Sequence, residues 1–246
     1  YGVAILLYIP INVYNGYFKM DNLLPNIIKD IVFDGTLYHL WYLPASIIGA
    51  AIAWHLVKKV HYRKAFLIAS VLYIIGLFGD SYYGIVKSVS CLNGFYNLIF
   101  QLTDYTRNGI FFAPIFFVLG GYISDNQNRL SLKRSIVGFI VCFALMFGEA
   151  LTLHHFDIQK HDSMYVLLLP SVYCLFNLLL HFRGKRRTGL RTISLIIYII
   201  HPFMIVVIRL FAKLLHLQSL LVENSLVHYL AVCFAAVVFA VVITAL

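Results

Sequence analysis

Ser194, Tyr198 and His201 lie in one apolar stretch, residues 192–211, whose length suits a membrane-spanning helix. Their spacings of four and three residues place all three on one face of that helix. Pro202 follows the histidine and removes a backbone donor, which loosens the helix where the imidazole projects. Because polar side chains are costly inside a membrane, they commonly line a cavity. We therefore interpret His201 as a candidate catalytic residue and Ser194 and Tyr198 as substrate-binding residues; a helix–helix contact is the alternative.

Glu149 is the second candidate catalytic residue. It is the one carboxylate in the apolar segment 135–153. An isolated charge in that environment is very unfavourable, so Glu149 needs a cation or a proton. Arg107, Arg209 and His201 are the possible partners, and the sequence does not choose among them. A purely structural pairing is the alternative.

Asp104, Arg107 and Asn108 form a third group of polar candidates. Arg107 and Asn108 follow Asp104 by three and four residues, which predicts that all three share one face of a helix. The acid and the base can neutralise each other at the membrane boundary, which is a structural role. The planar Arg107 fork can instead bind a carboxylate or another anion. Both interpretations stay open here.

Two further groups of substrate-binding candidates stand where spans begin. His39 and Tyr42 lie in an aromatic stretch that an interfacial belt explains equally well. His161 and Tyr165 are predicted to lie one helical turn apart, and Asp162 between them suits a helix N-terminus. Helix capping explains the acid but leaves the histidine without a role.

The composition indicates an integral membrane protein. The chain is 61% hydrophobic and 12% charged, with a mean hydropathy of +0.86, whereas soluble domains are about 45–50% apolar and about 25% charged. The four cysteines are scattered singly, so neither a metal site nor a disulfide framework is expected. The chain also lacks the GxSxG motif that a serine hydrolase would carry.

The apolar segments predict an all-α, polytopic transmembrane bundle of about eight spans, forming one membrane domain over residues 1–246. The first and last segments contain the chain ends, so both are predicted to be truncated and the chain to be a fragment of a longer membrane protein. The stretch NIIKDIVFDG predicts a short interfacial helix. The predicted spans are residues 1–14, 39–57, 65–86, 108–123, 135–153, 163–181, 192–211 and 225–246.

The basic residues predict the orientation. Twelve of the 19 Lys and Arg residues fall in three alternate loops, 58–64, 124–134 and 183–191. The positive-inside rule places these loops, and both ends of the chain, in the cytoplasm. The net charge of +9 is therefore a topology signal, for which the lipid bilayer and its headgroups are the expected partners and nucleic acid is not.

Several stretches carry a resemblance to a known family. The chain resembles the acyltransferase-3 family of polytopic membrane acyltransferases in YHLWYLPASIIG (38–49), GIFFAPIFFVLGGYI (109–123) and SLIIYIIHPFMI (194–205). More narrowly, it is similar to the membrane half of the VanT-type serine racemases of vancomycin resistance. That similarity lies in YHLWYLPA, GLFGDSYYG, TDYTRNGIFFAP and HDSMY.

The resemblance implies transfer of an acyl group from a cytoplasmic donor, such as acyl-CoA, to an extracytoplasmic acceptor in a bacterial plasma membrane. It also implies that the family's presumed catalytic His and partner Arg precede Tyr1, so that this fragment alone is expected to be inert. A pyridoxal-phosphate (PLP)-dependent racemase domain is expected after Leu246. No cofactor is therefore expected within these residues.

Two functions follow as alternatives. In the first, an acyltransferase, His201 and Glu149 line the acceptor side of the bundle. In the second, the bundle admits serine to a cytoplasmic racemase, with Arg107 on the substrate carboxylate and Glu149 or Asp162 on its ammonium group. A membrane anchor without chemistry is the third and plainest possibility.

Overall fold

The computed structural model describes residues 1–19, 21–125, 130–182 and 189–245. Within these ranges the chain is helical and contains no strand, which confirms the predicted all-α class. The chain divides into two compact units, Tyr1–Arg183 and Gly184–Leu246. The α-helices of the first unit are α1 (Gly2–Tyr14), α2 (Leu23–Lys29), α3 (Tyr42–Gly79), α4 (Tyr83–Lys87), α5 (Ser90–Leu102), α6 (Ala113–Asp125), α7 (Leu132–His155) and α8 (Leu168–Leu179); those of the second are α9 (Gly189–Leu214) and α10 (Ser225–Ala245).

Eight apolar helical segments correspond to the eight predicted spans. By length and composition, α3, α7, α9 and α10 are the described helices that could cross a membrane. Helices α1, α6 and α8 are apolar but shorter. The eighth segment arises because α3 consists of two helices, joined at His61.

His61 turns α3 back on itself. Its φ of 62° and ψ of 158° are not helical, and a side chain rarely adopts a positive φ. Both ends of α3 then contact the same segment: a Cβ on Gly49 would lie 2.4 Å from Ala113, and one on Gly79 would lie 2.5 Å from Thr106. A straight helix would hold positions 30 residues apart at about 45 Å. Helix α3 is therefore a helical hairpin, as the basic loop at 58–64 predicts.

The hairpin packs closely on α6, and small residues allow the approach. Gly49 lies against Ala113, and Gly109 lies against Ile48. The core of this unit is made of alanines, aromatic residues and aliphatic residues: Ala53, Ala65, Ala69, Tyr73, Leu77, Ile115, Val118 and Met164.

We predict that Gly49→Ala destabilises the protein, while the matched change Gly148→Ala does not. A Cβ at Gly49 would stand 2.4 Å from the Ala113 Cβ, whereas nothing lies within 4 Å of a Cβ at Gly148. Overpacking of this kind costs about 1–3 kcal/mol, while alanine in a helix is favoured over glycine by about 0.5–1 kcal/mol. Unfolding temperatures in detergent measure both effects. Equal shifts in the two variants would contradict the close approach.

Two segments that contain residues predicted to be helical are irregular instead: residues 103–112 precede α6 and residues 156–167 precede α8. In the second segment only the part next to α8 was predicted to be helical, since the span was predicted to begin at residue 163 after a polar turn. The prediction that Asp104, Arg107 and Asn108 share a helical face is therefore wrong, and so is the one-turn spacing of His161 and Tyr165. In both segments side-chain oxygens accept backbone N–H groups, so the backbone is satisfied without helix formation.

The second unit consists of α9 and α10, which pack on each other and are joined by a π-helical turn, Ser219–Glu223. Helix α9 contains Pro202 and stays helical through it, as the sequence predicts. The short helix predicted at residues 26–35 overlaps α2 and the π-helical turn Asp30–Asp34 that follows it, while its position at the membrane interface stays a prediction. The predictions for 126–129 and 183–188, which include part of two basic loops, lie outside the described residues.

Candidate functional site

The irregular segment 103–112 is held by one acidic and one amide side chain. The Asp34 carboxylate accepts hydrogen bonds from the Thr103 hydroxyl at 2.9 Å and from the backbone N–H of Asp104 at 2.8 Å. The Asn108 amide oxygen accepts the backbone N–H groups two and three residues later, at 2.9 and 3.1 Å. Asn108 is fully buried, and its hydrogen bonds hold the backbone of this segment.

Arg107 projects from this segment into a cage of aromatic rings. Its guanidinium carbon lies 4.4 Å from the ring centre of Tyr105, 4.7 Å from that of Tyr38 and 5.3 Å from that of Trp41. One terminal nitrogen donates to the Ser163 hydroxyl at 3.0 Å. The side chain is only 7% exposed, and its Nε has no hydrogen-bond partner among the described residues. Arg107 forms no ion pair with an acid among the described residues, and the guanidinium fork has the geometry to bind a carboxylate or another anion.

Asp80 is connected to this arrangement through Ser163. Its Oδ1 accepts the backbone N–H groups of Ser163 at 2.8 Å and Met164 at 3.0 Å, and the Ser81 hydroxyl at 3.0 Å. Its Oδ2 is buried and has no partner within the described chain. Ser163 therefore links the acid, through its backbone, to Arg107, through its hydroxyl. Each of the two charged groups retains one unsatisfied atom, which a bound molecule or an ordered water can satisfy.

Sequence reasoning did not select Asp80 as a site residue. The available signal was an acid and a serine in GLFGDSYYG, directly after a long apolar run. Asp80 and Ser81 were assigned to the end of a span, where an acid at the boundary needs no special role. Only the fold shows that both are fully buried.

Glu149 lies in α7 and accepts hydrogen bonds from the backbone just before α8. Its carboxylate accepts the backbone N–H of Val166 at 2.7 Å and of Leu167 at 3.1 Å, and the Tyr82 hydroxyl at 2.6 Å. Unpaired N–H groups at a helix N-terminus carry partial positive charge and favour such an acid. These contacts support the structural alternative for Glu149.

His161 packs against Tyr105 with a ring-centre separation of 4.4 Å, which connects it to the cage around Arg107. Burial, as the largest cause, together with the positive charges of Lys160 and Arg107 lowers the pKa of His161 from 6.5 to about 4. The imidazole is therefore neutral at physiological pH.

We predict that acidification destabilises the protein through His161. The folded pKa of about 4 lies below the ordinary 6.5, so between these values the unfolded chain binds more protons than the folded chain. Stability therefore falls as the pH drops from 6.5 towards 4. Unfolding temperatures measured across this range are expected to depend less on pH in His161→Gln, while the exposed control His155→Gln keeps the wild-type slope. Parallel curves for all three proteins would contradict the assignment.

A polar cavity of about 250 Å³ opens beside His161. Its lining includes Lys160, whose ammonium lies 3.0 Å from the ring centre of Phe100, and burial lowers the pKa of this lysine. The cavity, His161, Tyr105 and Arg107 thus follow one another from the surface inward. The lining residues are His154, Asp157, Gln159, Lys160, His161 and Asp162.

The other predicted site residues of the first unit lie around this arrangement. Asp104 is exposed and forms an ion pair with Lys29. The Tyr165 hydroxyl accepts from Gln159 at 3.1 Å. His39 lies edge-on to Tyr8 at 5.3 Å. Among the remaining predicted residues, Tyr42 begins α3 and Asp162 is exposed.

In the second unit, α9 carries Ser194, Tyr198 and His201. Ser194 donates to the backbone carbonyl of Leu190 at 2.8 Å. The Nδ1 of His201 lies 2.9 Å from the backbone carbonyl of Tyr198. A carbonyl can only accept, so Nδ1 carries the proton and, in the neutral imidazole, Nε2 carries the lone pair. The pairing of His201 with Glu149 stays a prediction.

Asp30, Asp34 and Asp104 are the described acids whose oxygens approach one another within 4.8 Å. Protein donors already engage all three. Tyr17 donates to Asp30, Lys29 pairs with Asp104, and Asp34 accepts backbone N–H groups. This cluster serves to fasten the 103–105 segment to the π-helical turn Asp30–Asp34.

Apolar helices of this length and composition, with Arg107 and Asp80 buried among them, are typical of a membrane protein. The match of the family described as acyltransferase domain covers residues 1–245. The chain therefore belongs to the acyltransferase-3 family, as the sequence motifs predict.

Curated relatives are named as racemases. An amino-acid racemase of Enterococcus faecalis is 83% identical over 247 residues, covering 100% of this chain and 35% of the relative. A second amino-acid racemase of Enterococcus faecalis is 37% identical, and a serine/alanine racemase of Enterococcus gallinarum is 34% identical; each alignment covers 94% of this chain and 33% of the relative. The chain thus spans about a third of the length of these relatives, which confirms its similarity to the membrane part of VanT-type racemases. No solved structure matches.

Proposed function

We propose that this chain is the acyltransferase-3-type membrane domain of a VanT-type serine racemase. In this role it transfers acyl groups other than aminoacyl from a cytoplasmic donor, such as acyl-CoA, to an extracytoplasmic acceptor. The observation that carries the reaction class is the family match over residues 1–245. The names of the relatives support the racemase context.

In this proposal His201 acts as a base on the acceptor side, in addition to the presumed catalytic His that the family resemblance implies. Its Nδ1 donates to the Tyr198 carbonyl, so the neutral ring has its lone pair on Nε2. The acceptor hydroxyl loses its proton to Nε2 while its oxygen attacks the acyl carbonyl and the CoA thiolate leaves. A positioned base contributes roughly 10²–10⁴-fold to such a step.

Acceptor-dependent CoA release tests the acyltransferase. We expect the full-length protein in proteoliposomes to release CoA only when an acceptor is present. His201→Gln is expected to slow this release roughly 100-fold or more, while the exposed control His155→Gln retains it. Serine uptake without CoA release under any acceptor condition would contradict the acyltransferase.

The second candidate function is the admission of serine for a cytoplasmic racemase. Buried Arg107 favours it, because this caged cation is linked through Ser163 to the buried acid Asp80. Arg107 can bind the carboxylate of one amino acid and Asp80 its ammonium group. Glu149, which the sequence also suggests as the partner of the ammonium group, already accepts three hydrogen bonds. Uptake of labelled L-serine into CoA-free proteoliposomes tests this function. Acceptor-dependent CoA release without such uptake would eliminate it.

The orientation is part of the same proposal. The helical hairpin of α3 turns at His61, within the basic residues 58–64. The positive-inside rule places this turn on the cytoplasmic side of the bacterial plasma membrane. Asp80 and the 156–167 segment then lie towards the outer face, where an extracytoplasmic acceptor or serine enters.

A further inference from the structure

An apolar cavity of about 540 Å³ lies beside the second half of α3, between α6 and α8. It is separate from the polar residues around Arg107. Its walls are aromatic and aliphatic, with a single charged residue, Arg63. The lining residues are Tyr62, Arg63, Phe66, Leu67, Leu119, Tyr122, Leu169, Pro170 and Tyr173.

Arg63 connects this cavity to the basic turn, defined as residues 58–64. The turn carries four Lys or Arg residues within seven positions, and Lys58, Lys59, Arg63 and Lys64 are all exposed. The helix also restarts after the non-helical His61. A restarting helix presents unpaired N–H groups, which favour negative charge at the same place.

The acid nearest to this end of the cavity is Asp125, at the end of α6. Burial is the larger cause that raises the pKa of Tyr62, and Asp125, which interacts with the Tyr62 hydroxyl, raises it as well. Tyr62 packs edge-on to Tyr122 at 6.3 Å. Because the basic turn carries four basic residues and Asp125 is a single acid, the region has a net positive charge. Tyr62 and Tyr122 suit a membrane interface, where aromatic residues are enriched.

We propose that this cavity binds an anionic phospholipid, with an acyl chain along α3, α6 and α8 and its phosphate at Arg63. The apolar walls match the chain, and the basic turn matches the negative headgroup of a cytoplasmic leaflet. A zwitterionic lipid would fill the walls equally well but would not gain from the net positive charge. The site is independent of the acyltransfer and uptake functions, so either can fail without affecting it.

Native mass spectrometry of the full-length protein with added phosphatidylglycerol or phosphatidylcholine tests the proposal. Wild-type protein is expected to retain phosphatidylglycerol in preference to phosphatidylcholine. Arg63→Gln removes one basic residue near the headgroup and is expected to reduce that preference about five-fold. Lys87→Gln, a change of an exposed lysine at the end of α4, is expected to leave the preference unchanged.

A second variant tests the acyl-chain part of the site. Leu67 lines the cavity and is 66% exposed, so Leu67→Trp fills space without disturbing the core. This variant is expected to lose retention of both lipids while keeping the wild-type unfolding temperature in detergent. Equal retention of the two lipids by wild type, or equal losses in Arg63→Gln and Lys87→Gln, would overturn the proposal. Displacement of phosphatidylglycerol by equimolar palmitoyl-CoA would also overturn it and assign the cavity to an acyl donor.

Discussion

Replacing Asp80 by alanine is expected to destabilise the first unit by about 2–6 kcal/mol, since each buried donor left without a partner costs about 1–3 kcal/mol. The two donors left without a partner are the backbone N–H groups of Ser163 and Met164, which both bond to Asp80 Oδ1. The third donor to this oxygen, the Ser81 hydroxyl, also bonds to the backbone carbonyl of His161 and keeps that acceptor. Asp80 and Met164 are fully buried, so solvent does not easily replace the lost acceptor. The expected result is a large fall in unfolding temperature and in yield from the membrane.

Asp80→Asn separates hydrogen bonding from charge. The amide keeps one oxygen that can accept both N–H groups, so a much smaller loss of stability is expected than for Asp80→Ala. Asp21→Ala, at an exposed acid of the same unit, is the control and should not change the unfolding temperature. If Asp80→Asn is as unstable as Asp80→Ala, the negative charge beside Arg107 matters more than the two hydrogen bonds.

The helical architecture was predictable because its cause is local. Long apolar runs separated by basic or polar loops indicate membrane spans whatever tertiary contacts the helices later make. The turn at His61 shows this well, since the basic residues 58–64 predicted a connection and the structure has a reversal of the helix there. The short helix α2 was predictable for the same reason, from the local sequence around residues 26–35.

The irregular segments before α6 and α8 were not predictable from local sequence. Helical spacing assigned Asp104, Arg107 and Asn108 to one face, yet Asp34, about 70 positions earlier, takes the N–H groups of this segment. Glu149 similarly accepts hydrogen bonds from the backbone N–H groups of Val166 and Leu167. When a distant carboxylate satisfies the backbone, helical spacing no longer decides which side chains face each other.

The sequence left two interpretations of Arg107 open, a partner of Asp104 or an anion-binding group. In the structure Asp104 pairs with Lys29, and Arg107 is buried among aromatic rings. These surroundings were not predictable: Tyr38 and Trp41 lie just before α3, while Asp80 follows its end. These residues meet because the hairpin brings both ends of α3 to the 103–112 segment, which no local pattern encodes.

Arg107→Gln is expected to weaken serine binding by about 2–5 kcal/mol, which is roughly a 30- to 4,000-fold rise in Kd, if Arg107 holds the substrate carboxylate. Glutamine retains a planar donor group that can still lie among the aromatic rings, so the loss reports mainly on the charge. Labelled-serine binding to the purified protein measures it. Arg134→Gln, at an exposed arginine, is the matched control and should bind as wild type does.

The unfolding temperature decides between a binding role and a structural role for Arg107. Three aromatic rings and the Ser163 hydroxyl surround the guanidinium, so its replacement also removes cation–π contacts worth about 0.5–2 kcal/mol each. A binding role predicts lost serine affinity in molecules that remain folded, with an intact unfolding transition. A structural role predicts that affinity per folded molecule stays at the wild-type value while the transition moves to lower temperature. Arg107→Lys sharpens the distinction, because lysine keeps the charge but cannot form the two-pronged contact with a carboxylate. Restored stability without restored affinity in that variant therefore identifies the guanidinium fork as the substrate contact.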